Sequence, residues 1–209
     1  MKALSLSLIS AFGLLCSALN AGQAFPLFDG KTFKGWDGDT NKTWRIEDGM
    51  IIGGDGKTKV PQNEFIATTR NYTNYVLRLK FKLTGKDGFV NSGVQYHSQR
   101  IPNHNEMKGY QADLGEGWFG AIYDESRRNK VMARPEEADV KKAVKLNEWN
   151  DYEVQTQGRR TILKINGVQM VDYTEADESI PQFGRIGLQI HGGGTTEVRF
   201  KNVKIEELP

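Results

Sequence analysis

Leu77-Arg78-Leu79-Lys80-Phe81-Lys82-Leu83 places an apolar residue at every odd position and a basic one at every even position. Successive side chains of a β-strand point to opposite faces, so this stretch predicts a strand with one face on a core and one in water. Before it, residues 44–47 and 50–52 flank Asp48-Gly49, a pair that tolerates the positive φ angles of a type I′ hairpin turn. After it, residues 149–157, 160–165 and 168–173 read as a meander turning at Gln157-Gly158 and Asn166-Gly167. Residues 185–191 and 196–208 are expected to pair around Gly192-Gly193-Gly194, with a bulge at Lys201-Asn202. The charged run at residues 134–146 suits a helical turn or an exposed loop, and is taken as a solvated excursion. With 23 glycines and turn signals at short intervals, the fold class is all-β: a two-sheet antiparallel β-sandwich. Trp36, Trp44 and Trp149 sit in strand-like contexts and are expected in its core.

Residues 1–24 stand apart. Lys2, the apolar run of residues 3–19 and the small-x-small site Gly22-Gln23-Ala24 predict a secretory signal peptide, and hence a secreted or periplasmic domain over residues 25–209 with no membrane span in the mature chain. The one cysteine, Cys16, leaves with the leader, so no disulfide is available to the domain. Removing Lys2 lowers the formal net charge from +2 to +1. Such a balance gives no electrostatic case for nucleic acid or anionic membrane, and an uncharged partner fits better.

Residues 91–129, NSGVQYHSQRIPNHNEMKGYQADLGEGWFGAIYDESRRN, crowd polar and aromatic types together with no sustained period, as a binding surface does. Acids, bases and arginines concentrated in one stretch exceed what a lectin needs and favour an enzyme. Each element also has a plainer reading. Asn91-Ser92-Gly93 would serve as a turn, Asp124 to Arg128 as a surface run of weak ion pairs, and Trp118 and Phe119 as core aromatics or as platforms for sugar rings.

Several motifs fall in a familiar order: Leu27-Phe28-Asp29-Gly30-Lys31 with Gly35-Trp36, Trp44 before Glu47-Asp48-Gly49, Asn91-Ser92-Gly93-Val94, and Gly109-Tyr110-Gln111-Ala112-Asp113. Gly187-Leu188-Gln189-Ile190-His191-Gly192 and Val198-Arg199-Phe200-Lys201-Asn202-Val203 complete the series. Together they resemble the 3-keto-disaccharide hydrolase domain family over nearly the whole chain after the leader. Tyr96-His97 departs from it, standing where members often carry an aromatic residue and an arginine. The resemblance implies a concanavalin- or laminin-G-like jelly roll acting on glycosides whose C3 hydroxyl has been oxidised to a ketone.

A C3 ketone acidifies the hydrogen on C2. A base can take that proton, the C1 oxygen can leave from the enolate, and water can add back. The resemblance thus calls for a base, an acid and a group that holds enolate charge. Asp113 is assigned as base, with Glu106 a second carboxylate, His104 or His191 as acid or base, and Arg127 or Arg100 on the enolate. Substrate contacts are expected from Asn91, Ser92, Tyr96, His97, Arg100, Tyr110, Gln111, Trp118, Tyr123, Asp124, Glu125 and Gln189. Direct glycoside hydrolysis would instead pair Glu106 with Asp113, or Asp124 with Glu125, across the bond. A non-catalytic carbohydrate-binding module is the alternative outside enzymes. No cofactor is certain. His97, His104, Glu106, Asp113 and His191 are ligand types for a divalent zinc or manganese ion in a spacing that matches no standard motif, or they hydrogen-bond sugar and one another.

Overall fold

A computed structural model describes residues 22–209, so the expected leader, with Cys16, falls almost wholly outside the described residues. In chain order the first strands are β1 (Phe25–Pro26), β2 (Trp36–Asp37), β3 (Trp44–Glu47), β4 (Met50–Gly54), β5 (Glu64–Thr68), β6 (Tyr75–Gly88) and β7 (Asn91–Arg100). There follow β8 (Met107–Gly115), β9 (Ile122–Glu125), β10 (Lys130–Ala133), helix α1 (Glu137–Ala143), β11 (Asn150–Gln157), β12 (Arg160–Ile165), β13 (Val168–Thr174), β14 (Arg185–Ile190) and β15 (Gly194–Glu207). The strands form two antiparallel sheets packed on one core, the expected β-sandwich. The first runs β13-β12-β11-β6-β15-β4-β3, with β1 added beside β15, and the second runs β10-β9-β8-β7-β14-β5-β2.

The alternation that predicted β6 is the alternation that builds the first sheet. Leu77, Leu79, Phe81 and Leu83 are buried, while Arg78 is exposed and Lys80 and Lys82 are half-buried. On the wet face Arg78 pairs with Glu153 and Glu206 at 2.8 and 2.9 Å, and Lys80 with Asp151 at 2.6 Å. Exposed pairs of this kind are worth about 0–1 kcal/mol each, so the apolar face carries the stability. Opposite it, Val94, Tyr110, Ala112, Leu114, Leu188 and Ile190 close the core from the second sheet.

The turns follow the residues. Asp48 and Gly49 both have positive φ, as do Asn166 and Gly167, so both tight hairpins use the type I′ geometry that the right-handed strand twist favours. The register slips after Lys201, where Asn202 has positive φ, which is the expected bulge.

Four expectations need correction. Residues 185–191 and 196–208 do not pair: β14 lies between β7 and β5 in the second sheet, and β15 between β6 and β4 in the first. Both strands bury apolar residues in the same core from opposite sides, and the glycines of residues 192–194 carry the chain across. Residues 134–146 take the helical alternative and are largely exposed, yet they are not wholly solvated. They contain α1, whose Ala143 is buried and whose Val140, with neighbouring Val144, packs against the core. Asn91-Ser92-Gly93 is not a turn but the buried start of β7. Trp149 is only half-buried and carries the Lys201 ammonium 3.9 Å from its ring centroid, unlike Trp36 and Trp44, which are buried.

Phe81 of β6 stacks at 6.2 Å with Phe119, from the β8–β9 connection of the second sheet, and tilts at 5.7 Å against Tyr152 on the neighbouring β11. Phe81→Ala is expected to cost about 3–5 kcal/mol, read as a lower urea midpoint with an unchanged slope.

Candidate functional site

Within β7 as far as Tyr96 and along β8, the stretch without an evident period is in fact two-sided. In β7 Val94 and Tyr96 enter the core, while Asn91, Gly93 and Gln95 face the other way. In β8 Tyr110, Ala112 and Leu114 face the core, and Gln111 and Asp113 face out. Cross-strand register puts Gln189 beside Gly93 and Gly93 beside Asp113, in one row across β14, β7 and β8. Gln95, Gln111 and Tyr123 form the next row. The outer face is polar yet buried: Asn91, Gln95, Gln111, Asp113 and Gln189 are each at most 2% exposed. Burial on both faces is what masked the strand's alternation.

A cavity of about 240 Å³ opens on this face. Its floor is Asn91, Gln111 and Asp113, and its sides are Glu125, Tyr123 and His191, with Trp118 and Phe89 at the walls. Trp118 reaches it from the tight β8–β9 connection, in which its N–H donates to the Gly115 carbonyl at 2.9 Å and Gly117 and Gly120 have positive φ. The Arg134 guanidinium stacks 4.6 Å from the Trp118 ring centroid, and Phe89 meets Trp118 and His191 edge-on at 6.4 and 4.7 Å. A larger depression of about 450 Å³ on the first sheet is lined by the ion-paired strand surface of Arg78, Lys80, Asp151 and Glu153. Those charges already satisfy one another, whereas those of the smaller cavity do not.

The Asp113 carboxyl accepts from Gln111 Nε2 at 2.7 Å through Oδ1, and Oδ2 is buried with no partner. Burial, reinforced by the charge of Glu125, pushes its pKa up to about 8. Burial and then the charge of Glu106 push Glu125 up to about 7. Glu106 is itself raised by burial, against a 2.9 Å bond from Asn63 Nδ2, and its Oε2 has no partner. Both amide atoms of Gln189 are buried without a hydrogen bond of ordinary geometry, although the amide lies near enough to the Glu125 carboxyl to oppose the rise in its pKa. His191 Nδ1 lies 2.6 Å from the Gly192 carbonyl, so it carries the hydrogen and leaves Nε2 as the free nitrogen.

Other sequence-predicted residues lie elsewhere. His97 falls in the β7 bulge with φ 47°, which turns its ring inward between Tyr75 and Tyr96. There Nε2 meets the Thr73 carbonyl at 2.7 Å, and burial lowers its pKa to about 4. Tyr96 and Tyr110 are core residues stacked at 5.2 Å. Asp124, one residue before Glu125, necessarily points to the opposite face. It is fully buried between Arg127 and Arg128, and the cluster continues from Arg128 to Glu175 at 2.6 Å. Against the cost of burial, Arg128 and the Tyr110 hydroxyl hold Glu175 well below the carboxylate range. Arg127 is therefore part of a structural network across the sheet from Asp113 and cannot reach an enolate there, and Asp124 with Glu125 cannot flank one glycosidic bond. Arg100 is committed to Asp37 at 2.8 Å and to the carbonyls of Asp37 and Phe65. Ser92 donates to the Gln189 carbonyl at 2.6 Å. His104 is exposed, its Nδ1 accepting from the Glu106 N–H at 3.1 Å. Of the five ligand-type residues only Asp113 and His191 line the cavity, and among the described residues no three His, Cys, Asp or Glu side chains are grouped to hold a metal.

Sequence reading missed Phe89 and Gln95. An aromatic beside Gly88 signalled the first, and alternation counted from Asn91 would have found the second.

Fold and site together define a β-sandwich with an acidic, aromatic-walled cavity on the outer face of its second sheet. The chain belongs to the family of 3-keto-alpha-glucoside-1,2-lyase-like domains, whose model matches residues 23–206. It is a glycoside hydrolase-like or carbohydrate-binding sandwich. A protein of Parabacteroides distasonis ATCC 8503, provisionally described as a glycosyl hydrolase, is 28% identical with a TM-score of 0.67, covering 94% of this chain and 99% of its own. The carbohydrate-binding module CBM66 of Bacillus subtilis is 16% identical with a TM-score of 0.62, covering 83% of this chain and 96% of that one, a likeness of fold alone. Comparison with curated proteins gives no match.

Asp113 tests the site without substrate. Its folded pKa of about 8 lies above the ordinary 3.8, so between these values the native chain keeps a proton that the unfolded chain has released. Stability therefore falls as pH rises through that window. Asp113→Asn removes the penalty and is expected to melt above the wild type, by a margin that widens from pH 5 to about pH 8; a constant margin would contradict the shift.

Proposed function

We propose that this chain cleaves 3-keto-glycosides by elimination followed by hydration. Ionised Asp113 takes the C2 proton, and the electron pair moves into the ring as the C3 ketone becomes an enolate. The Gln189 Nε2–H, which makes no hydrogen bond of ordinary geometry and lies beside Glu125, takes the place first given to Arg127 or Arg100 as donor to the enolate oxygen. As the enolate collapses, the C1–O bond breaks and Glu125 gives its proton to the leaving oxygen. Water then adds across the new double bond, completing a net hydrolysis. Trp118 offers an aromatic face to the sugar. Export of the mature domain, resting on the leader read at residues 1–24, belongs to the same proposal.

The observation that carries this reading is a pair of carboxyls in one cavity, both held near neutrality, the deeper one with a bare oxygen. Between about pH 7 and 8 such a pair retains about one proton, resting mainly on Asp113; the reactive form is the minor one in which that proton sits on Glu125 and Asp113 is the ionised base. A binding module has no use for that arrangement. The Parabacteroides protein's description as a glycosyl hydrolase supports action on glycosides.

The test is incubation of the mature protein with a 3-keto-glucoside and its unoxidised parent, following sugar release and enone absorbance. Release from the keto form alone is expected, with a bell-shaped pH profile whose limbs fall near 7 and 8. Asp113→Asn should lose about a thousandfold in kcat. Equal release from the parent would mean direct hydrolysis, and binding of both sugars without release would mean a carbohydrate-binding module. An EDTA arm reads any need for a divalent ion.

A further inference from the structure

Asp113 is the end of a hydrogen-bonded chain that runs along the outer face of the second sheet. Ser98 Oγ–H donates to Gln95 Oε1 at 2.5 Å, Gln95 Nε2–H donates to Gln111 Oε1 at 3.0 Å, and Gln111 Nε2–H donates to Asp113 Oδ1 at 2.7 Å. Ser98 and Gln95 are fully buried, and Gln111 is nearly so. Each is admitted by a glycine on a neighbouring strand. A Cβ at Gly109 would sit 2.3 Å from Ser98 Oγ, one at Gly93 would sit 2.4 Å from Gln111 Cδ, and one at Gly187 would sit 2.8 Å from Met107 Sδ and 3.2 Å from Gln95 Cβ. Three strands thus give up a side chain to make space for three buried polar groups. Burying these groups costs stability unless all are bonded.

The chain matters because a side-chain amide is nearly symmetric in shape and opposite in polarity at its two ends. If Gln111 turned over, it would offer its carbonyl to Asp113, repel the carboxylate and draw the acid proton to Oδ1. Gln95 blocks this, since its N–H requires the Gln111 carbonyl. Gln95 is held in turn by Ser98, whose hydroxyl also lies 2.9 Å from the Tyr96 carbonyl and 3.2 Å from that of Tyr110, with Gln95 its nearest acceptor.

We propose that Gln95 and Ser98 are positioning residues that lock the Gln111 N–H onto Asp113 Oδ1, so that Asp113 gains and loses its proton at Oδ2, the oxygen with no protein partner. Their consequence for catalysis rests on the elimination reading above; their effect on Asp113 does not. A chain that merely filled space would contribute stability and leave the Asp113 titration where it was.

The test is a carboxyl 13C NMR titration of the full mature chain labelled at aspartate, comparing wild type, Gln95→Met and Ser98→Ala. Releasing Gln111 weakens its bond to the carboxylate and lets it accept from the acid. The Asp113 midpoint should therefore rise by about half a pH unit or more in Gln95→Met and by less in Ser98→Ala. With a 3-keto-glucoside, Gln95→Met should lose about tenfold in kcat while KM stays within about twofold. Midpoints equal to the wild type in folded variants would overturn the proposal, and Ser98→Ala decides it alone if Gln95→Met does not fold. A wild type that titrates as described but turns over no 3-keto sugar would count against the elimination reading and not against the chain.

Discussion

Burying an ionisable carboxyl is expensive, and a protein usually meets that cost by pairing the charge or by keeping the group neutral. Asp113 is 2% exposed, faces no cation at bonding distance and has one oxygen bonded to an amide. It is therefore held as the acid up to about pH 8. Much of the second sheet's outer face follows from this constraint. Glycines open the space, and amides rather than charges line it. Glu125 is close enough for its charge to hinder the ionisation of Asp113.

The same sheet shows the opposite solution on its inner side. Asp124 is as deeply buried as Asp113, but Arg127 and Arg128 close on it, and Arg128 extends the network to Glu175. Adjacent residues of one strand thus serve different ends because their side chains leave on opposite faces. Asp124 and its arginines tie β9 and the following turn to the chain beyond β13, while Glu125 keeps a carboxyl near neutrality in the cavity. Breaking the first network would release buried charge and unsettle the platform from which Glu125 and Tyr123 project.

Where strands had one wet face, the sequence was readable. The alternation at residues 77–83, the Asp48-Gly49 and Asn166-Gly167 turns and the bulge at Asn202 all have a local physical cause, and the structure has each of them. Where both faces are buried, period two was hidden by polar residues on each side, so β7 read as a patch and Gln95 was passed over. The partners of β14 and β15 depend on which sheet each joins, and adjacency in sequence says nothing about that. His97 was misjudged because a bulge, invisible in composition, turned its ring inward. Arg127 and Arg100 were misjudged because an arginine's role depends on which carboxylate reaches it first. Asp113, Gln111, Tyr123, Glu125 and His191 were legible as candidates, and only the fold separated them from the rest of the stretch.

The most direct test of Asp113 as the base is hydrogen exchange at C2 of the sugar. A 3-keto-glucoside with a poor leaving group at C1 is incubated with the protein in deuterated water, and C2 is followed by NMR. If Asp113 removes the C2 proton, deuterium enters C2 with the wild type and not with Asp113→Asn. Cleavage of a better substrate with the C2 hydrogen fully retained would contradict proton abstraction and return the chain to direct glycoside hydrolysis.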